Sequence, residues 1–133
     1  MEKVVLITGV SSGFGKHTAE LLAEKGFKVY GTSRKDIDHD VRINLVKMDV
    51  RDQQSIQNAV QTVLQKEGRI DVLINNAGMG ISGAIEETSV EEVDLQMGTN
   101  FMGAFFAIQA VLPAMRTQGV GTIINIGSIG GLM

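Results

Sequence analysis

Residues 4–15 read Val4-Val5-Leu6-Ile7-Thr8-Gly9-Val10-Ser11-Ser12-Gly13-Phe14-Gly15. The first four are consecutive, apolar and rich in β-branched side chains, which suits a strand buried on both faces. Glycines follow at 9, 13 and 15. From Phe14 to Glu24 the chain has few breakers and carries Phe14, Leu21 and Leu22, which predicts a helix. The order is therefore strand, glycine turn, helix. A helix N-terminus offers free backbone N–H groups and the positive end of a dipole. Glycines without a Cβ let a pyrophosphate approach that end closely. The same three glycines also suit a bare strand-to-helix turn, so the rest of the chain must decide.

Working outward, the alternation continues. Lys25-Gly26 stops the helix, and Phe27–Thr32 is predicted as a second strand. The polar, mixed-charge stretch Ser33–Arg42 is predicted as a loop, and Ile43–Val50 as a third strand. Asp52 can cap a helix whose apolar positions, Ile56, Ala59, Val60, Val63 and Leu64, fall on one face; Gly68 ends it. Ile70–Asn75 is predicted as a fourth strand. Thr88-Ser89-Val90-Glu91 has the form of a capping box for a helix reaching about Met97. Asn100–Thr117 is helical in pattern and apolar nearly all round, as in a buried or interface helix. Thr122–Ile126 completes five strands. Strands alternating with helices predict an α/β domain, a doubly wound parallel sheet with helices on both faces.

Composition narrows the function. The 133 residues have a net charge of −3, which argues against a nucleic-acid partner. The absence of cysteine excludes disulfides and thiolate metal sites and fits a reducing, cytoplasmic compartment. Met1-Glu2-Lys3 leads straight into the first strand, so no signal peptide is expected. The longest apolar block, Phe101–Met115, is broken by Gly103, Gln109 and Pro113, short of the roughly 20 residues of a membrane span. His17 and His39 lack ligand neighbours, and Asp36, Asp38 and Asp40 lack calcium-loop spacing, so no metal is expected.

Five motifs in order then resemble the classical short-chain dehydrogenases/reductases: Thr8-Gly9-x-x-x-Gly13-x-Gly15, Asp49-Val50, Asn75-Asn76-Ala77-Gly78, Asn100, and Ile126-Gly127-Ser128. The resemblance runs from Lys3 to Met133. It implies a Rossmann-type sheet of strand order 3-2-1-4-5, without the family's last two strands. Residues 1–133 would thus be the N-terminal, NAD(P)-binding part of a longer family domain.

Roles follow from the resemblance. Gly9, Ser11, Ser12, Gly13, Phe14 and Gly15 would form the phosphate-binding turn. Asp49 would accept from the adenine amine, with the Val50 N–H beside it. Asn76, Ala77 and Gly78 would pass close to the cofactor ribose. NAD-binding relatives carry an acid at the end of the second strand to bind the ribose hydroxyls. That position falls at Ser33, followed by Arg34-Lys35, which suits a 2′-phosphate and implies NADP(H) over NAD(H). Asn100 would hold a water of the proton relay, and Ser128 would polarise a substrate carbonyl.

The family's general acid is a tyrosine in a Tyr-x-x-x-Lys motif downstream of that serine. The only tyrosine in these 133 residues is Tyr30, in the second strand. The implied function is an NADP(H)-dependent oxidoreductase interconverting an alcohol and a ketone, represented by its cofactor-binding half and inactive as it stands. The alternative is a non-catalytic dinucleotide-binding module. Expected partners are a small carbonyl or alcohol substrate and further copies of the chain, through the apolar Asn100–Thr117 helix and an open strand edge.

Overall fold

The computed structural model describes residues 2–11, 13–76, 89–96 and 101–126. They form five strands and four helices: β1 Val4–Ile7, α1 Gly13–Glu24, β2 Lys28–Ser33, β3 Ile43–Lys47, α2 Gln53–Glu67, β4 Val72–Asn75, α3 Val90–Gln96, α4 Gly103–Gln118 and β5 Thr122–Asn125. The strands make one parallel sheet in the order β3-β2-β1-β4-β5. This is the expected Rossmann-type arrangement.

The register explains why the Val4–Ile7 run is wholly apolar. β1 lies at the centre, with Val5 beside both Val29 of β2 and Val72 of β4. Its alternate side chains enter two different cores. Val4 and Leu6 join Ile56, Val60, Val63 and Val111 under α2 and α4. Val5 and Ile7 join Ala19, Ala23 and Ile43 under α1. With helices on both faces, no residue of this strand faces water, so strict alternation of polarity would be destabilising.

The α2 helix follows its sequence signals closely. Asp52 accepts from the N–H groups of Gln54 and Ser55, and Gly68 closes the other end in the left-handed region with its N–H on the Leu64 carbonyl. α3 is capped one residue later than the sequence predicts. Ser89 takes the N-cap place: its Oγ accepts from the Glu92 N–H at 3.1 Å and donates to the Glu92 carboxylate at 3.3 Å.

Strand boundaries also move, for local reasons. β2 runs on to Ser33, whose carbonyl accepts from the Met48 N–H at 3.0 Å. β3 stops at Lys47, because the chain then turns into α2, with the Asp52 N–H on the Asp49 carbonyl. β4 begins at Val72, and Ile70 lies outside the ladder with its backbone satisfied by a side chain. Gln118 at the end of α4 accepts from the Ile70 N–H at 3.0 Å and donates to its carbonyl at 2.9 Å.

α4 does not bury its whole circumference. Gly103, Ala107, Val111 and Met115, at four-residue spacing, face α2 and the sheet. Phe105 is 49% exposed, and Phe101 just before the helix is 60% exposed. Among the described residues β5 pairs with β4 alone, and its outer face shows Ile124 and Ile126 to solvent. No helix of the described residues is long and apolar enough to cross a membrane.

Candidate dinucleotide site

The carboxyl ends of β1, β2, β3 and β4 converge on one edge of the sheet, where ligands bind in open α/β folds. The turn after β1 is tied to strands on both sides. The Gly9 N–H donates to Thr32 Oγ1 at 3.2 Å, and the Val10 N–H to the Thr32 carbonyl at 3.0 Å. On the other side, the Asn76 N–H donates to Thr8 Oγ1 at 3.0 Å, and Asn76 Nδ2 donates to the Gly9 carbonyl at 2.9 Å. Two buried threonine hydroxyls and one amide side chain thus anchor the start of the turn to the strands on both sides.

The motif's glycines have different reasons to be glycine. At Gly15 a Cβ would lie 2.0 Å from the Gly9 carbonyl oxygen and 2.3 Å from Asn76 Nδ2. There the missing side chain lets α1 press onto the turn. At Gly13, φ is +60° and a Cβ would meet nothing within 4 Å. Among the described residues the start of α1 is therefore open, has no acidic residue in its first turn, and presents N–H groups without intrahelical partners. That helix start fits a diphosphate: donors without intrahelical partners, a favourable dipole and no acidic side chain in the first turn. Ser11 and Phe14 border it and are exposed. Ser12 lies outside the described residues.

At the far end of the cleft, Ser33 is buried, and its Oγ accepts from the Lys35 N–H at 3.2 Å. This folds the chain so that Arg34 projects into solvent with no hydrogen-bond or ion-pair partner among the described residues. No carboxylate occupies the end of β2. Asp36, three residues on, pairs instead with Lys47 across to β3 at 3.2 Å.

Asp49 follows β3 on the neighbouring strand. Its Oδ1 accepts from the Arg51 N–H at 3.0 Å and from Arg51 Nε at 3.4 Å. The Arg51 backbone N–H holds this carboxyl below the usual carboxylate range, assisted by the Arg51 side chain and by the nearby charge of Arg34. Asp49 is therefore an ionised acceptor at neutral pH. Val50 turns its side chain into the core under α2.

Asn75, at the end of β4, donates through Nδ2 to Asn125 Oδ1 at 2.9 Å, and its carbonyl accepts from the Ile126 N–H. This ties the end of β4 to the end of β5. Ala77, Gly78, Asn100 and Ser128 lie outside the described residues. Tyr30 is remote from the cleft: it is buried under α2 with its hydroxyl on Glu67, and burial together with that carboxylate pushes it up to about 12. Among the described residues no group of three or more potential ligands could hold a metal.

Sequence reading missed two of the contacts that shape this edge of the sheet, Thr32 on Gly9 and Arg51 on Asp49. The second had a readable signal, an aspartate followed two residues later by an N–H donor in a turn. The first joins residues 23 apart and had none.

Comparison with known proteins agrees with this geometry. A family model described as short chain dehydrogenase matches residues 3–133. A 3-ketodihydrosphingosine reductase of Bacteroides thetaiotaomicron is 52% identical over 131 residues, covering 98% of this chain and 49% of that protein. A solved structure titled ElxO with NADP bound superposes with a TM-score of 0.90 at 32% identity, covering 100% of this chain and 58% of that one. A short-chain dehydrogenase from Streptomyces avermitilis superposes at 0.92 with 38% identity, covering 100% and 52%. The chain spans about half the length of the curated relatives it matches.

Proposed function

Because the chain belongs to the short-chain dehydrogenase family, we propose that it forms the cofactor-binding half of an NADP(H)-dependent oxidoreductase that interconverts an alcohol and a ketone. The observation that carries the reading is the open start of α1 at Gly13, beside a turn anchored by Thr8, Thr32 and Asn76, with Ser33 where an NAD-specific site would place an acid and Arg34, unpaired among the described residues, next to it. Gly9, Ser11, Ser12, Gly13, Phe14 and Gly15 would hold the diphosphate. Ser33 and Arg34 would hold the 2′-phosphate, Asp49 and Val50 the adenine, and Asn76, Ala77 and Gly78 the ribose. The bound nicotinamide would supply the hydride. In the same reading Ser128 polarises the carbonyl and Asn100 holds a water of the proton relay.

The reductase name of the Bacteroides relative supports ketone chemistry, and the NADP in the ElxO structure supports the cofactor. Titration with NADPH and NADH tests it. One charge-assisted phosphate contact contributes about 1.5–3 kcal/mol, so NADPH is expected to bind about tenfold tighter or more. Arg34→Ala should narrow that gap. Equal affinity for both cofactors in the unmodified chain would overturn the preference.

A second reading, a non-catalytic dinucleotide-binding module, draws on Tyr30. Its hydroxyl is buried and engaged by Glu67, so it cannot serve as the general acid of these 133 residues. Assay of this chain with NADPH and ketones should show no reduction above background. Turnover by this chain would exclude the module and show that the general acid lies elsewhere.

A further inference from the structure

Resting on the dinucleotide reading, we propose that Arg51 is a positioning residue for the adenine end of the cleft. It pins one oxygen of Asp49 and leaves the other, Oδ2, to the exocyclic amine of the base.

The argument starts from the main chain. After β3 the segment 49–52 is a turn, with the Asp52 N–H on the Asp49 carbonyl and the Asp49 N–H on Ser55 Oγ at 2.9 Å. The Asp49 backbone is therefore held from both sides. Its carboxylate is not buried, with 36% of the side chain exposed, so water alone would leave it free to rotate. Arg51 removes that freedom. Its N–H and Nε both converge on Oδ1, at 3.0 and 3.4 Å. Among the described residues Oδ2 receives Nη2 alone, at 3.5 Å, the outer limit of a hydrogen bond.

One oxygen is thus committed within the protein while the other keeps nearly all of its accepting capacity. An amine of a flat base needs an acceptor of that kind, fixed in direction and partly open. A purely structural ion pair this exposed would add little stability, because solvent screens it. Arg51 also offsets the negative charge of Asp49 close to Arg34, where the 2′-phosphate is proposed to sit.

The test titrates the chain with NADPH and with its hypoxanthine analogue, which carries a carbonyl in place of the amine, followed by reduced-nicotinamide fluorescence. The wild type should prefer adenine. Arg51→Ala should weaken NADPH binding about two- to fivefold and leave the analogue unchanged. It should have no effect in an Asp49→Ala background, since Arg51 acts through Asp49. Melting temperatures within about 2 °C of wild type would show that the fold is intact. An equal loss for both ligands, no loss, tighter NADPH binding, or an undiminished loss without Asp49 would each overturn the proposal. A wild-type chain that binds neither dinucleotide would overturn the cofactor reading itself, and this inference with it.

Discussion

Gly15→Ala and Gly13→Ala separate the two jobs of the glycine turn. A methyl at position 15 would lie 2.0 Å from the Gly9 carbonyl oxygen and 2.3 Å from Asn76 Nδ2. Those two atoms are the partners of one 2.9 Å hydrogen bond, so no rotation of Asn76 relieves both contacts. The carbonyl belongs to a turn already fixed by Thr32 and Thr8, so it cannot retreat cheaply. Overpacking of this kind costs about 1–3 kcal/mol. Loss of the hydrogen bond adds about 1 kcal/mol. Alanine's better helix propensity returns about 0.5–1 kcal/mol. The net loss is about 2 kcal/mol, or about 8 °C in melting temperature for a chain of this size.

At Gly13 the methyl meets nothing, and the cost is only that of a left-handed backbone with a side chain, about 1 kcal/mol after the gain from a stiffer unfolded chain. That methyl projects into the space proposed for the diphosphate. Thermal unfolding and NADPH titration of both variants decide the matter. Gly15→Ala should lose the more stability. Gly13→Ala should melt about 4 °C below wild type and lose tenfold or more in NADPH affinity. A Gly15→Ala chain melting within 2 °C of wild type, or a Gly13→Ala chain less stable than it, would refute the assignment.

Three further outcomes are expected. Tyr30 has a folded-state pKa raised to about 12, so its contribution is complete below pH 10 and is lost as pH rises towards 12. Tyr30→Phe should therefore cost about 1.5–3 kcal/mol in urea melts at pH 7 and flatten the alkaline fall in stability. Asp71 is buried, and Arg69 holds its carboxyl below the usual range while Oδ2 accepts from the Val4 N–H at 2.8 Å. Its contribution is present above about pH 4 and lost as acid protonates it, so Asp71→Asn should destabilise at pH 7 by about 1.5–3 kcal/mol, with the difference vanishing at the lowest pH values. Finally, exposed Phe101 and Phe105 and the outer face of β5 with Ile124 and Ile126 support self-association of the chain. Light scattering at micromolar concentration should report a dimer or larger, and a monomer independent of concentration would exclude it.

What the sequence by itself determined is what rests on local chemistry. The unbroken apolar run Val4–Ile7 identified a central strand because a strand covered on both faces has no place for a polar residue. Asp52 and Gly68 marked the ends of α2 because each satisfies backbone groups within one turn of itself. The spacing of Gly9, Gly13 and Gly15, with Asp49 and Asn75-Asn76 downstream, carried the family resemblance. The resemblance in turn implied the strand order that the sheet adopts.

Contacts between distant residues were decided only by the tertiary structure. That Gly15 must be small depends on Asn76, which the parallel pairing of β1 with β4 delivers to the Gly9 carbonyl. That the Ile70 backbone is satisfied outside the sheet depends on Gln118, 48 residues away. The burial of one stripe of α4, with Phe105 left outside, depends on where α2 lies. Local propensity records what a residue can do within a turn or a strand. Which remote partner it meets is set by how the elements stack, and that exists only once the sheet has formed.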